Sequence, residues 1–182
     1  MIKKDLKVAV LGAGAMGCLF GGLLAEKGLD VVLIDVWKEH VDAINKNGLK
    51  MDGHGGDRFI KIKASLDPKT LDKVDAIIIM CKATVLEQAL INSKNIIGDN
   101  TVLMSFQNGI GHEAIMQKIA GKEKVLGGTT TQAANILGPG NIKNHASLPS
   151  WIGEYDGGMS DRVKDVAETF TAYGLETIAS DN

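Results

Sequence analysis

The chain opens on an apolar run. From Val8 to Ala25 no residue is charged, and Lys3, Lys4 and Lys7 precede the run. A bilayer helix needs about 20 predominantly apolar residues; this run is shorter and carries Gly12, Gly14, Gly17, Gly21 and Gly22. A secretion signal needs a small-residue cleavage pattern after its apolar core, and "LLAEKG" has none. What the pattern predicts is a strand, "KVAVL" (7–11), a glycine turn, and a helix that stops at Gly28. A second strand, "DVVLID" (30–35), and a helix over "VWKEHVDAINKNG" stopped by Gly48 follow. "LKMDGHGGDRFIKIKAS" (49–65) reads as a hairpin, with His54 solvated at its glycine-rich tip.

The continuous apolar strand "VDAIIIM" (74–80) is of the kind buried on both faces of a parallel sheet. A helix over 83–93, a strand "TVLMSF" (101–106) and a helix near 113–120 continue the alternation. Residues 124–137 and 140–155 read as extended segments joined through Gly138-Pro139-Gly140. A helix capped by Ser160 and stopped by Gly174, then the strand "LETIAS", complete the pattern. Alternating strands and helices predict an α/β fold with a doubly wound, mostly parallel sheet. Gly21 and Gly22 lower helix propensity, so their helix face is expected to lie tight against the sheet or another chain.

Composition narrows the function. The 182 residues are 45% hydrophobic and 23% charged, which suits one globular domain, taken as residues 1–182. A net charge of -2 without a basic stripe gives no footprint for nucleic acid. Cys18 and Cys81 lie in apolar stretches without metal-ligand spacing, so neither a disulfide framework nor a metal site is expected, and a reducing cytoplasm fits.

The glycines follow a strand and open a helix, the context that gives G-x-G-x-x-G its meaning. Gly12 permits the tight turn, Gly14 lets the backbone approach a pyrophosphate, and Gly17 lets helix and strand pack closely. The helix N-terminus then faces the phosphates with unpaired N–H groups and partial positive charge. Asp35, 18 positions beyond Gly17, is placed to accept hydrogen bonds from the adenosine ribose of NAD and to repel the 2′-phosphate of NADP. It could instead cap the helix starting near Trp37. Ligands of parallel sheets lie at the carboxyl ends of the strands. Lys82 there offers a mobile point charge to cofactor or anionic substrate, and Asn108 an amide for a carbonyl or hydroxyl. Either could also be an ordinary surface or turn residue. Cys81 could have a lowered pKa or serve only as packing.

The motifs "GAGAMG" (12–17), "CK" (81–82), "QNGIG" (107–111), "GGTTTQAA" (127–134) and "GPGNIKNH" (138–145) together resemble the ketopantoate reductase (2-dehydropantoate 2-reductase) family. The resemblance implies a Rossmann-type fold and reduction of 2-dehydropantoate to pantoate, in pantothenate biosynthesis, by hydride transfer from NAD(P)H. It implies a cofactor site of Gly12, Ala13, Gly14, Ala15, Met16, Gly17, Lys82, Asn108 and Ala134, to which the spacing adds Asp35. Lys82 and Asn108 would lie closest to the substrate. The family's usual basic residue after the second strand is replaced by Asp35-Val36, which favours NAD over NADP. The family also has an all-helical second domain, whose first helix supplies a lysine general acid. These residues contain no counterpart, so no catalytic residue is assigned and the chain is expected to be a truncated, cofactor-binding half that turns over little by itself. An NAD-sensing regulatory module, or a relative acting on another 2-keto or 2-hydroxy acid, are the alternatives. Apolar surface around Trp151, Ile152 and the final strand is expected to favour a homodimer.

Overall fold

The computed structural model describes residues 6–181; Lys3 and Lys4, ahead of the apolar run, lie outside them. In chain order the regular elements are β1 (Lys7–Leu11), α1 (Ala15–Glu26), β2 (Asp30–Ile34), α2 (Lys38–Asn47), β3 (Leu49–Gly53), β4 (Arg58–Ile60), β5 (Lys63–Ser65) and β6 (Val74–Ile79). They continue as α3 (Leu86–Asn92), β7 (Ile97–Ser105), α4 (His112–Ala120), β8 (Val125–Thr130), β9 (Ala134–Gly138), β10 (Asn141–Asn144), β11 (Ser150–Glu154), α5 (Asp161–Ala172) and β12 (Thr177–Ser180).

The main sheet has the order β12-β11-β8-β7-β6-β1-β2-β5. It is parallel from β5 through β8, β11 runs antiparallel to β8, and β12 is parallel to β11. The chain winds outward from β1 through β2 to β5, then crosses back to β6 on the other side of β1. That reversal opens a crevice beyond the carboxyl ends of β1 and β6. Leu11 is level with Ile34 on one side and Ile79 on the other, so the three strands end together.

Both faces of this sheet are covered, and successive residues alternate between two cores. Val8, Val10, Ile78 and Met104 pack with Leu19, Phe20 and Leu24 of α1, whereas Ala9, Leu11, Ile77, Ile79 and Leu103 pack with Leu86, Leu90 and Met116 of α3 and α4. This is why β1 and β6 read as continuous apolar runs.

The uncharged α1 owes its uniform apolarity to a second, four-stranded sheet, of order β4-β3-β10-β9, which packs on the helix from the other side. A methyl at Gly21 would meet Leu33 and Val10 of the main sheet, and one at Gly22 would meet Met51, Leu49 and Ile60 of the small sheet. The paired glycines thus let one helix lie close to two sheets, with no second chain needed. Among the described residues no helix is long and apolar enough to cross a membrane.

Several elements differ from the sequence reading. The 49–65 segment forms the β3–β4 hairpin, but β5 leaves it to pair with β2. Asn45 stabilises that departure, its amide bonding the Ala64 N–H and C=O at 2.9 Å each. The expected 83–93 helix begins as a 3-10 turn over Ala83–Val85, with the Val85 N–H donating to the Lys82 carbonyl. The extended segments divide between the sheets: β9 and β10 build the small one, β8 and β11 the main one. Because β11 lies between β8 and β12, Ile152 is buried in the core and Trp151 half-buried. Of the apolar surface expected to favour a homodimer, Ile152 is therefore interior, whereas the half-buried Trp151 is paired with Ile178 of the final strand, which is exposed on the same face of the sheet. Ser160 does cap α5, accepting from the Val163 N–H at 3.3 Å.

Candidate functional site

Gly12 leaves β1 with φ 100°, a conformation that disfavours any side chain. A methyl there would also lie 2.7 Å from the Met80 carbonyl carbon and run into the Cys81 backbone, so only glycine lets the loop pass beneath the end of β6. At Gly17 a methyl would overlap the Gly12 carbonyl oxygen. Gly14 differs: its φ of -65° suits any residue, and a methyl there meets nothing within 4 Å. The protein's own packing explains glycine at 12 and 17 but not at 14. Gly14 is the N-cap of α1, which has no side-chain cap and no acidic residue in its first turn. The N-terminal N–H groups around Ala15 and Met16 are thus left for an anion.

Asp35 lies one residue beyond β2. Its Oδ2 accepts from the Ala13 N–H at 2.7 Å and its Oδ1 from the Trp37 N–H at 3.0 Å. The N-cap of α2 is Trp37, so Asp35 does not cap that helix. Its carboxylate instead ties the glycine loop to the β2–α2 connection, and each oxygen keeps acceptor capacity for a hydroxyl. Its charge is felt across the crevice. The Cys81 thiol is pushed up to about 11 by burial first, with Asp35 adding to it. Cys81 is therefore a thiol at neutral pH, and the lowered pKa considered for it does not occur.

Lys82 and Asn108 stand at the ends of β6 and β7, both exposed. Among the described residues the Lys82 ammonium makes no ion pair or hydrogen bond. Two residues not assigned from sequence hold these positions. The Gln107 amide donates to the Cys81 carbonyl, and its oxygen accepts from the Ser105 hydroxyl at 3.2 Å, which links the ends of β6 and β7. The buried His112 ring nitrogen lies 2.9 Å from the Asn108 carbonyl and anchors the loop before α4. Replacing Gln107 with Ala should leave the sheet intact and weaken dinucleotide binding about fivefold, the size expected for one lost hydrogen bond. A fluorescence titration reads that loss, and unchanged affinity would show that the bridge does not matter. Ala134, half-buried, begins β9 at the far side of the loop after β8.

His40 of α2 is fully buried. Its Nδ1 accepts from the Gly140 N–H at 3.0 Å, so the proton of the neutral ring sits on Nε2, 3.2 Å from Cys18 Sγ. Trp37 stacks on the ring, with centroids 4.9 Å apart. Burial lowers the His40 pKa, and the Asp35 charge opposes the fall. An unfolded His titrates at about 6.5. The unfolded chain therefore takes up a proton that the folded chain refuses, and stability is lost as pH falls from that value toward the folded one. Urea midpoints should drop between pH 7.5 and pH 5.5 in the unmodified chain, and drop less in His40→Gln; equal drops would show that His40 does not contribute.

The strand order, the crevice beside β1 and the glycine loop that opens α1 define a Rossmann-type α/β fold. The family model described as ketopantoate reductase PanE/ApbA matches residues 8–157. The chain belongs to the ketopantoate reductase family. It is 40% identical to the 2-dehydropantoate 2-reductase of Pyrococcus horikoshii, aligning over 97% of its own length and 57% of that protein's. Among solved structures, D-mandelate dehydrogenase with NADH and anilino(oxo)acetate superposes with a TM-score of 0.91 at 36% identity, covering 97% of this chain and 57% of that one. The PanE/ApbA family ketopantoate reductase of Ralstonia eutropha superposes with a TM-score of 0.88 at 29% identity, over the same shares. The chain thus corresponds to the N-terminal, dinucleotide-binding half of these enzymes and spans little more than half their length. Among the described residues no cluster of ligand side chains could hold a metal ion.

Proposed function

We propose that residues 1–182 bind NAD(H) and present it for reduction of a small 2-keto acid, with 2-dehydropantoate as the substrate that the relatives' names favour. The observation that carries the reading is Gly14: a glycine that the fold does not require, at an uncapped helix end, beside open space. These residues fit a dinucleotide. The N-terminal amides of α1 would hold its pyrophosphate, with Ala13, Ala15 and Met16 around it, and Asp35 its adenosine ribose. Asn108 and Ala134 would border its nicotinamide end. The bound nicotinamide supplies the hydride. Lys82, an unpaired cation at the crevice, would attract and orient the keto acid's carboxylate. The reaction also consumes one proton, which converts the carbonyl to a hydroxyl, and no residue of this chain is assigned to deliver it.

A second substrate is favoured by one observation: D-mandelate dehydrogenase, a relative by structure, acts on a different 2-hydroxy acid. Titration of this chain with NADH tests the cofactor reading, and absence of binding by both NADH and NADPH would overturn it. NADH oxidation by the protein as its gene encodes it, with 2-dehydropantoate set against the 2-keto acid of mandelate, separates the substrates. Cofactor binding with turnover of neither would favour an NAD-sensing module.

A further inference from the structure

We propose that Cys18 and His40 are positioning residues that aim the Gly14 amide at the cofactor's pyrophosphate. The inference rests on the reading that the Gly12–Gly17 loop holds a dinucleotide.

The donors of this buried chain all run one way. The Gly140 N–H donates to His40 Nδ1, His40 Nε2–H donates to Cys18 Sγ, and the Cys18 thiol donates to the Ala13 carbonyl at 3.2 Å. Burial pushes the Cys18 thiol far up, so its proton stays in place as the donor. The Ala13 carbonyl is therefore turned into the core. In a trans peptide the C=O and the following N–H point in opposite directions, and the fold has no cis peptide among the described residues. An inward Ala13 carbonyl thus sends the Gly14 N–H away from the core, at a residue where an added methyl would also meet nothing within 4 Å. The preceding peptide is fixed independently, since the Ala13 N–H donates to Asp35. Two consecutive peptides of the loop are then held from opposite directions, one by a half-buried carboxylate and one by a core thiol.

The His40 ring also bears on the Ala13 carbonyl; without the thiol only that hold remains, so the Ala13–Gly14 peptide is freer to rotate, and Gly is the residue that least resists such rotation. The His40 contact keeps Sγ from turning away, and Gly140 fixes the ring. The β9–β10 turn, more than 100 residues along the chain from the loop, thereby supports the cofactor site.

The test measures binding of ADP-ribose, which carries the pyrophosphate, and of adenosine, which carries no phosphate, to the 182-residue chain. Cys18→Ala should weaken ADP-ribose about tenfold, as expected for one misaimed charge-assisted hydrogen bond, and change adenosine by less than about twofold. Cys18→Ser, whose hydroxyl can accept from His40 and donate to Ala13, should recover most of the loss. His40→Asn keeps an acceptor for the Gly140 N–H but is too short to reach Sγ, so it should show the same split with a smaller amplitude; it carries the test if Cys18→Ala does not fold. Equal losses for both ligands, or no loss, would overturn the positioning role while leaving the dinucleotide reading intact. An unmodified chain that binds no ADP-ribose would overturn both.

Discussion

Alanine at Gly14 should leave the fold as stable as before and cost at least about tenfold in NADH affinity, whereas alanine at Gly17 should cost the fold itself. The two glycines are three residues apart in one motif, yet they meet different neighbours. At Gly17 the new methyl would overlap the Gly12 carbonyl oxygen and crowd Val10 at 3.2 Å. That backbone cannot retreat, because the Gly12 N–H is bonded to Ile34 and its Cα lies under Cys81. Overpacking against rigid backbone belongs with the larger single-residue effects, about 3 kcal/mol or more. At Gly14 the methyl enters open space, and exchanging Gly for Ala at an N-cap costs about 1 kcal/mol, which the stiffer unfolded chain of the alanine variant largely offsets because a φ of -65° suits alanine. The affinity loss comes from the ligand side, where the methyl would occupy the position of a phosphate. Urea midpoints and calorimetric titrations with NADH on both variants would separate the effects. Undiminished NADH binding by Gly14→Ala would remove the observation on which the proposed function rests.

The same loop shows how far the sequence can be read. A strand, three spaced glycines and a helix are local signals, so β1, α1 and the crevice at the end of "VDAIIIM" were legible without coordinates. The apolar circumference of α1 was legible as a fact but not as a cause. Its second partner, the small sheet, joins β3 to β10 in parallel, with Met51 paired to Ile142, and nothing local marks a pairing across so much chain. Asp35 was legible as an acid at the right distance, but its bond to Ala13 joins residues 22 apart, and spacing alone left helix capping open. His40 carried a signal that went unread: it shares the buried face of α2 with Val41 and Ile44, and a histidine on an apolar face needs buried partners. Ile152 was misjudged because it packs with Val163, Ala167 and Phe170 of α5, a contact between segments that nothing local marks, while its neighbour Trp151 is half-buried beside the exposed Ile178 on the other face.

The unmodified chain should bind NADH more tightly than NADPH, by about tenfold to thirtyfold, and Asp35 should account for most of the difference. A 2′-phosphate beside this carboxylate sets like charges a few ångströms apart in a half-buried crevice, worth about 1–2 kcal/mol after solvent screening. Asp35→Ala removes that repulsion, but it also strips the acceptor from the buried Ala13 N–H and from the Trp37 N–H. A buried donor left unpaired costs about 1–3 kcal/mol, so Asp35→Ala should lose affinity for both cofactors as well as the preference between them. Asp35→Asn removes the charge while its remaining oxygen can satisfy one of the two N–H groups. It should therefore relax the preference to a similar degree with a smaller loss of affinity and stability. Lys38 is the nearby cation that could offset the repulsion, but its ammonium pairs with Asp42 at 2.5 Å, one turn along α2. That exposed pair is weak enough to break for a phosphate, so Lys38→Ala should lower NADPH affinity only if the lysine swings over. Calorimetric dissociation constants for both cofactors, measured at one fixed salt concentration on all four proteins, decide the matter. Tighter binding of NADPH than NADH by the unmodified chain would overturn the role given to Asp35.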